Sequence, residues 1–371
     1  MRPSLLSAAT AICFSQALAG GHAWELPPQK PFAHKYHETD DVDIITGSQF
    51  SGLRTYANLP YINCFADAEG EPFVGGAYDI AILGAPFDTG TTGRPGTRFG
   101  PSGIRTGSQR IHPNGWNIYT GKSPLSSWAK VVDCGDVPMT YLDNSIALAQ
   151  LDKAHKSSTP RILMLGGDHT TTLSALRSTH QRWGKVSVIH FDSHIDTWDP
   201  AVLGGGLSDY AGVNHGTFLH IAHEEGLIHN SSIHAGIRAP LIRRKGDLRN
   251  DVRCGFSIVT ARDLDLHGAA GVIQRIKDRV KGSMVYISVD IDVLDPAYAP
   301  GTGTAEPGGW TTRELLTVLD GLSGLHVVGA DVVEVAPAYD NNGETTVLAA
   351  AEVALSLVQL MVDEPVKSLA D

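Results

Sequence analysis

The chain has 371 residues, of which 42% are hydrophobic and 40 are glycine. This is enough to bury a sizeable core, so one large α/β domain is as plausible as two small ones. Forty acidic and 29 basic residues give a formal net charge of −11, and no basic run stands out. This charge pattern argues against nucleic acid and membranes as partners, and a cationic small molecule suits it better.

The first 19 residues have the features of a secretory signal peptide. Arg2 precedes an apolar stretch over residues 4–18, and Ala17-Leu18-Ala19 offers a small-residue cleavage site. A transit peptide for mitochondria would carry more arginine, and no later segment is expected to be long enough to cross a membrane. We therefore predict a mature chain that begins near Gly20 and is secreted or enters the secretory pathway.

Residues 20–76 are rich in proline, histidine and polar residues, which predicts an N-terminal arm with one helix near Ser48 to Tyr56. From residue 77 to residue 371 the pattern predicts a single domain. It begins with a strand over residues 78–84, a glycine-rich loop up to Gly100, and a helix from Pro101 to about Ile111. The loop matches neither the Walker pattern nor G-x-G-x-x-G, so it predicts a substrate-facing loop rather than a nucleotide site.

The cysteines allow at most one disulfide bond. Removal of Cys13 with the signal peptide leaves Cys64, Cys134 and Cys254, and the sequence does not decide their pairing. Cys134 lies in a predicted strand, where a buried free thiol is the expected state. The sequon Asn230-Ser231-Ser232 allows N-glycosylation only if the chain enters the secretory pathway.

Strands and helices alternate along the rest of the chain. This order predicts a three-layer α/β/α fold around a mainly parallel sheet. The further predicted strands cover residues 130–133, 161–165, 186–191, 233–237, 257–260, 285–292 and 327–335. The further predicted helices cover residues 145–155, a segment that ends near 183, 217–225, 271–280, 312–322 and 344–362.

Polar side chains gather where these strands end. In His190–Thr197 the alternation of a strand would put Asp192, His194 and Asp196 on one face, and Asp290 and Asp292 share a face of a later strand. A solvated strand end would explain one such run, but the second carboxylate pair favours a metal site. The residues at strand ends are His169, Asp192, His194, Asp196, Asp290, Asp292 and Glu334.

Two imidazoles and four carboxylates form a set of six nitrogen and oxygen ligands. A structural zinc site has four ligands, usually with cysteine, and calcium prefers oxygen ligands alone. The set suits two divalent first-row ions that activate a water molecule between them. Its carboxylates favour manganese, while cobalt, nickel, iron and zinc stay open.

Three ordered motifs in this chain resemble those of the ureohydrolases, the family of arginase and agmatinase. They are Gly166-Gly167-Asp168-His169, Phe191–Asp196 and Ser288–Pro296. The resemblance extends over about residues 78–362 and implies an arginase-like fold with two Mn²⁺ ions per chain. It implies that His169, Asp192, Asp196 and Asp290 bind one ion, and that His194, Asp192, Asp290 and Asp292 bind the other.

Two more residues receive roles from the same resemblance. Asn214-His215-Gly216-Thr217 resembles the agmatinase loop whose histidine transfers protons, although five histidines crowd residues 215–234 and most would be structural. Asp331–Pro337 resembles the segment whose glutamate accepts hydrogen bonds from the guanidinium group. We therefore expect His215 and Glu334 to act on the substrate, with Asp196 as the third catalytic residue. The alternative for Glu334 is a buried pair with a structural arginine.

The resemblance implies hydrolysis of a guanidino compound to urea and an amine. Residues 198–214 do not reproduce the arginase pattern that binds an amino acid, although Ser208 and Asn214 offer polar groups. Agmatine is therefore the expected substrate. Guanidinobutyrate or arginine are the alternatives, and for guanidinobutyrate Arg94 and Arg98 would be the first cations to inspect. A single-zinc deacetylase and a catalytically silent relative are the rival functions. The family also implies a homo-oligomer, trimeric or hexameric.

Overall fold

The computed structural model of the protein describes residues 53–65, 78–157, 161–208 and 210–366. The predicted signal peptide, its cleavage site and most of the helix predicted near Ser48 to Tyr56 lie outside these residues. The chain divides into two compact units, Met1–Thr46 and Gly47–Asp371. The fold described below is that of the second unit.

Eight strands form one sheet in which the described strand pairs are all parallel. Their order across the sheet is β2-β1-β3-β8-β7-β4-β5-β6. The strands are β1 (Ile80–Ala85), β2 (Val131–Asp136), β3 (Arg161–Gly166), β4 (Ser187–Phe191), β5 (Ser232–Ile237), β6 (Phe256–Thr260), β7 (Met284–Asp290) and β8 (His326–Val333).

Helices connect successive strands and cover both faces of the sheet. They are α1 (Gly100–Gly107), α2 (Asn144–Ser157), α3 (Thr172–Trp183), α4 (Phe218–Glu224), α5 (Arg244–Arg253), α6 (Asp263–Arg279), α7 (Thr312–Gly321) and α8 (Thr345–Asp363). The result is the predicted three-layer α/β/α fold with a parallel sheet. Because helices cover both faces of the sheet, the side chains on both faces can be apolar.

The alternation of side chains along β1 shows how the two faces divide. Ile80 and Ile82 belong to the core beneath α1, α6, α7 and α8, whereas Ala81 and Leu83 belong to the core beneath α2, α3 and α4. Both faces are therefore apolar, which explains the continuous hydrophobic runs in the strand sequences.

Helix α8 corrects one expectation about membranes. Its 19 residues are long and apolar enough to cross a membrane, so a segment of spanning length does exist after the N-terminus. However, 72% of its apolar window is buried inside the fold. The helix packs against α1, α7 and β8, so its hydrophobicity is explained by its place in the core.

Residues 53–65 pack against the edge of the sheet near β2. The Tyr56 N–H donates to a carboxylate oxygen of Asp133 at 2.6 Å, and Ile62 is buried in the core. Cys64 and Cys134 form a disulfide bond, with their Cα atoms 5.4 Å apart. The expectation of a free thiol at Cys134 was therefore wrong, while Cys254 is buried and free.

Two predicted elements differ from the structure in ways that affect the site. Strand β4 ends at Phe191 and strand β7 ends at Asp290, so His194 and Asp292 lie in the turns that follow rather than on strands. Asp292 sits in a 3-10 turn, and its backbone N–H donates to the side chain of Asp290 at 2.8 Å. The helix over Arg244–Arg253 was not predicted, because its sequence carries charged residues and Gly246 with few apolar positions.

Candidate metal centre and active site

Four adjacent central strands carry the candidate site at their carboxyl ends. In the order β3-β8-β7-β4, their carboxyl ends lead directly to His169, Glu334, Asp290 and Asp192. Strands β8 and β7 lie between β3 and β4, so the chain crosses from one side of this pair to the other after β3. The carboxyl ends of these strands therefore form a topological switch point. Ligands of open parallel sheets bind at such points.

The first group of ligand atoms surrounds Nδ1 of His169. This atom lies 3.2 Å from Oδ2 of Asp192, 3.1 Å from Oδ2 of Asp196 and 3.4 Å from Oδ2 of Asp290. The four side chains are buried and converge on one point. This is the first ligand set that the sequence predicted.

The second group surrounds Nδ1 of His194, next to the first. This atom lies 3.3 Å from Oδ1 of Asp192 and 3.1 Å from Oδ2 of Asp292. Asp192 thus turns one oxygen towards each group, as a bridging carboxylate would. Oδ1 of Asp292 accepts hydrogen bonds from the backbone N–H and the hydroxyl of Ser193, which leaves Oδ2 for the site.

Hydrogen bonds behind His169 hold a proton on its Nε2, so that the neutral ring offers Nδ1 as a ligand atom. Its Nε2–H donates to the Ser288 hydroxyl at 2.7 Å, and that hydroxyl donates to Asp331 at 2.6 Å. Metal-binding histidines are typically oriented in this way by their second nitrogen. Nδ1 of His169 and Oδ2 of Asp192 are both buried without a hydrogen-bond partner, so the donor set fits a metal ion.

The carboxylates lie close enough together to shift one another's pKa values. Burial, together with the charges of Asp292 and Asp192, raises the pKa of Asp290 well above its ordinary value. Burial and the charge of Asp192 raise the pKa of Asp196 to about 6. Divalent cations would remove this repulsion, because each ion supplies positive charge where the oxygens converge.

His215 and Glu334 form a buried pair beside the first group. The Nδ1–H of His215 donates to Oε1 of Glu334 at 3.0 Å, while Nε2 of His215 lies 2.8 Å from the Thr92 hydroxyl. Burial disfavours the charged ring, but the hydrogen bond and charge of Glu334 outweigh it and raise the pKa of His215 to about 9. The two residues that the sequence placed at the substrate thus contact each other.

Glu334 keeps one oxygen available. Its Oε1 accepts from the backbone N–H of His169 as well as from His215, whereas the buried Oε2 has no partner among the described residues. Glu334 and Asp196 also have positive φ angles of 59° and 50°. Residues other than glycine rarely adopt this backbone conformation, and such strain concentrates at functional sites.

A cavity of about 240 Å³ opens above the two groups. Its walls include His194, His215, Asp196 and Asp290, and its rim includes Thr92, Trp198 and Glu306. Within the described part of the chain, no lysine or arginine lines it. The cavity is therefore acidic, and it fits a small cationic molecule.

Other polar residues considered from the sequence face elsewhere. The amide of Asn214 bonds to the backbone of Leu203 and Ala211, and Ser208 accepts from the Ala211 N–H. Arg94 stacks on Tyr339, and Arg98 hydrogen-bonds Asp88 at 2.6 Å. None of these residues lines the cavity, and Asn214 instead holds the loop that carries His215.

Three residues near the site were not predicted from the sequence. Thr92 and Glu306 line the cavity, and Nε2 of His190 lies 3.0 Å from Oδ2 of Asp192. His190 lies on β4, two residues before Asp192, so the alternation of a strand predicts that both side chains point to the same face. The sequence therefore contained a signal for His190. Thr92 lies in the glycine-rich loop that was predicted to face the substrate, whereas nothing local marks Glu306, because a distant turn brings it to the cavity.

A larger groove of about 1210 Å³ lies elsewhere on the surface. It is lined by the 110–125 segment and by parts of α7 and α8, and contains none of the residues of the two ligand groups. Trp116, Ile118 and Tyr119 are exposed along it. We assign the chemistry to the smaller cavity, because that one contains the converging ligand atoms.

Comparison with known proteins gives matches over most of the chain. The profile of the arginase family matches residues 78–359. A Schizosaccharomyces pombe protein provisionally named agmatinase 1 is 50% identical, over 88% of this chain and 86% of its own. The guanidinobutyrase of Pseudomonas aeruginosa is 36% identical, over 81% of this chain and 90% of its own.

A solved structure gives the same match in three dimensions. The proclavaminate amidinohydrolase of Streptomyces clavuligerus superposes with a TM-score of 0.74 and 33% identity. The alignment covers 85% of this chain and 99% of that one. The similarity therefore includes the sheet, both helical layers and the edge that carries the site.

Proposed function

The chain belongs to the arginase family of hydrolases that act on linear amidine C–N bonds, and we propose that it cleaves agmatine to putrescine and urea. The resemblance read from the three motifs and the three-layer fold are thereby confirmed. One observation carries the choice of substrate: an acidic cavity without lysine or arginine lies above the converging ligand groups.

The guanidinium end of the substrate is assigned to Glu334. Its Oε2 is buried and unpartnered among the described residues, and its Oε1 bonds to His215, which lines the cavity. A planar cation and a carboxylate form short, charge-assisted hydrogen bonds. Among the described residues no arginine bonds to Glu334, which argues against a purely structural ion pair.

The amine end of the substrate is assigned to the rim of the cavity at Glu306. The backbone oxygen of Glu306 accepts from Nε and Nη2 of Arg238 at 3.1 and 2.7 Å, which fixes this turn. The Glu306 side chain is 31% exposed and faces the cavity. An ammonium group is favoured here, whereas the carboxylate of guanidinobutyrate or arginine would be repelled.

Two Mn²⁺ ions are proposed for the two ligand groups. His169, Asp192, Asp196 and Asp290 would hold one, and His194, Asp192, Asp290 and Asp292 the other. When bound, such a pair supplies an activated water molecule and stabilises developing negative charge. Two neighbouring ligand groups speak against a deacetylase with one zinc ion.

The protein's own residues would bind the substrate and move the proton. Glu334 holds the guanidinium group in place, and its charge keeps a proton on His215 because it raises the pKa of that ring to about 9. His215 is the group that would then protonate the departing amine, and the Thr92 backbone N–H, which donates to its Nε2 at 3.1 Å, fixes the position of the ring. Asp196 would accept the proton of the attacking water, since its carboxylate belongs to the first ligand group.

Urea release from the Mn²⁺-loaded mature protein tests this proposal. We expect kcat/KM for agmatine to exceed the values for arginine and 4-guanidinobutyrate measured on the same preparation. A clear preference for arginine would refute the agmatinase assignment but not the hydrolase. No urea from any guanidino compound would instead favour the catalytically silent relative.

Entry into the secretory pathway is a second proposal, since the signal peptide lies outside the described residues. It is supported by the Cys64–Cys134 disulfide, because such bonds persist in oxidising compartments. Asn230 is exposed, so a glycan could be attached there. N-terminal sequencing of protein from its native host should find Gly20 or a neighbour first, and an intact Met1 would refute the proposal.

A homo-oligomer, trimeric or hexameric, is a third proposal. Trp116, Ile118 and Tyr119 expose apolar surface along the larger groove, and exposed apolar patches commonly mark interfaces. Light scattering on the purified protein should give a mass of at least three chains. A monomer at all accessible concentrations would contradict this assignment.

A further inference from the structure

A chain of buried polar residues leads away from the first ligand group. His190 lies on β4 and His234 is its direct partner on β5, so the two rings leave the same face of the sheet side by side. Their Nδ1 atoms are 2.8 Å apart. Nε2 of His234 then lies 2.9 Å from Oδ1 of Asp251 on α5.

The other end of this chain reaches a predicted metal ligand. Nε2 of His190 lies 3.0 Å from Oδ2 of Asp192, and neither atom has a hydrogen-bond partner assigned among the described residues. The two atoms are within hydrogen-bonding distance but are not aligned as a hydrogen bond, so a proton on Nε2 of His190 would pair them once the groups reorient. The aromatic rings of Phe218 and Phe256 pack against His190 and His234, which prevents the two imidazoles from turning away.

We infer that His190, His234 and Asp251 form a positioning relay, in which His190 donates a hydrogen bond to Asp192 and so orients this carboxylate for the first metal ion. The inference rests on the metal centre proposed above and not on the identity of the substrate. None of the three residues belongs to the six ligands implied by the family resemblance.

The direction of the hydrogen bonds follows from the charges. Asp192 must be ionised to bind a metal, so it can only accept, and the single proton of a neutral His190 must then lie on Nε2. Nδ1 of His190 therefore accepts, and Nδ1–H of His234 must donate.

Asp251 fixes the charge at the far end. Burial alone would raise the pKa of Asp251, but the charge and hydrogen bond of His234 outweigh it and lower that pKa. Ionised Asp251 accepts from His234 and, at 2.7 Å, from the Thr197 hydroxyl. Because an ionised carboxylate can only accept, Nε2–H of His234 donates to Asp251, and the bonds of the relay run outwards from His234.

The test compares Asp251→Asn with Asp247→Asn. Both aspartates are buried on α5, but Asp247 bonds to Trp198 and to the backbone of Arg243, outside the relay. Loss of the Asp251 charge removes the obligatory acceptor of the His234 Nε2–H and lets the relay reverse, so that Nε2 of His190 loses its proton. We expect the affinity for the first Mn²⁺, measured by calorimetry, to fall about tenfold to a hundredfold in D251N.

The control separates positioning from simple destabilisation. D247N should lower the unfolding temperature of the metal-free protein as D251N does, yet keep the Mn²⁺ affinity of the wild type. Equal affinity losses in both variants, or a change of less than twofold in D251N, would overturn the relay. If wild-type protein itself binds no Mn²⁺, the proposed metal centre has failed rather than the relay.

A second measurement distinguishes positioning from direct ligation by His190. Pulsed EPR of the Mn²⁺-loaded protein counts the imidazole nitrogens bound to the ions, and we expect only those of His169 and His194. His190→Gln retains an N–H donor and should keep more Mn²⁺ affinity than His190→Leu. A third nitrogen coupling that disappears in H190Q would overturn the positioning role.

Discussion

Nδ1 of His215 lies 3.0 Å from Oε1 of Glu334, and this contact joins the residue that would move the proton to the residue that would bind the guanidinium group. The same carboxylate accepts from the backbone of His169, the first residue of the metal-ligand set. Substrate binding, proton transfer and metal binding therefore share one buried carboxylate. A change at Glu334 should disturb the first two together.

Glu334→Gln should lower kcat/KM for agmatine by roughly a hundredfold to a thousandfold, because one partner of a buried charge pair is removed. His215→Asn should instead lower kcat, by roughly 10²–10⁴-fold, with a smaller change in KM. Steady-state urea assays on loaded protein give both values. Glu352→Gln on the surface is the matched control, and equal activity of E334Q and E352Q would contradict the substrate role.

Glu306→Gln should change the choice of substrate. A neutral side chain at the rim no longer attracts the ammonium group, so KM for agmatine should rise about tenfold. The repulsion of a carboxylate also falls, and kcat/KM for 4-guanidinobutyrate should stay level or rise. The ratio of the two kcat/KM values is the measurement. An unchanged ratio would show that the amine end is bound elsewhere.

Asp290→Ala should lower both metal occupancy and activity. Its Oδ2 lies 3.4 Å from Nδ1 of His169, and its Oδ1 accepts from the backbone N–H of Asp292, so its loss affects both groups. Elemental analysis should give two metal ions per wild-type chain and fewer than two in the variant. Full occupancy with full activity in D290A would remove the dinuclear centre.

The sequence was sufficient for the strands and for the grouping of most candidate site residues, because both depend on local patterns. Asp-x-His-x-Asp and Asp290-x-Asp292 follow buried strands directly, and carboxyl ends of parallel strands share one edge. The contact between His190 and His234 was not readable, since it depends on the register of two strands that are 44 residues apart. The Cys64–Cys134 bond and the turn at Glu306 likewise depend on distant segments meeting.

The disulfide should contribute measurably to stability. It closes a loop with a sequence separation of 70 residues, and in the chain-entropy description such a loop corresponds to about 4 kcal/mol. The double variant Cys64→Ser with Cys134→Ser should lose most of this free energy of unfolding in urea. Dithiothreitol should destabilise wild type and C254A alike, and a wild-type midpoint unaffected by reduction would contradict the bond.

His155 should make the protein sensitive to acid. The ring is fully buried on α2 with both nitrogens unpartnered among the described residues, and burial lowers its pKa from 6.5 to about 3. Below pH 6.5 the unfolded chain therefore binds a proton here that the folded chain does not, so stability falls as pH decreases towards 3. In this window His155 should contribute a slope of about 1.4 kcal/mol per pH unit.

His155→Met should remove this slope. Free energies of unfolding, measured in urea between mildly acidic and neutral pH on metal-free protein, should depend less steeply on pH in H155M than in wild type. Metal-free protein is used because release of a bound metal ion would add its own pH dependence. His326→Met replaces an exposed histidine at the start of β8 and should leave the wild-type slope intact. If H155M and wild type lose stability in parallel as the pH falls, His155 is not the acid-sensitive group.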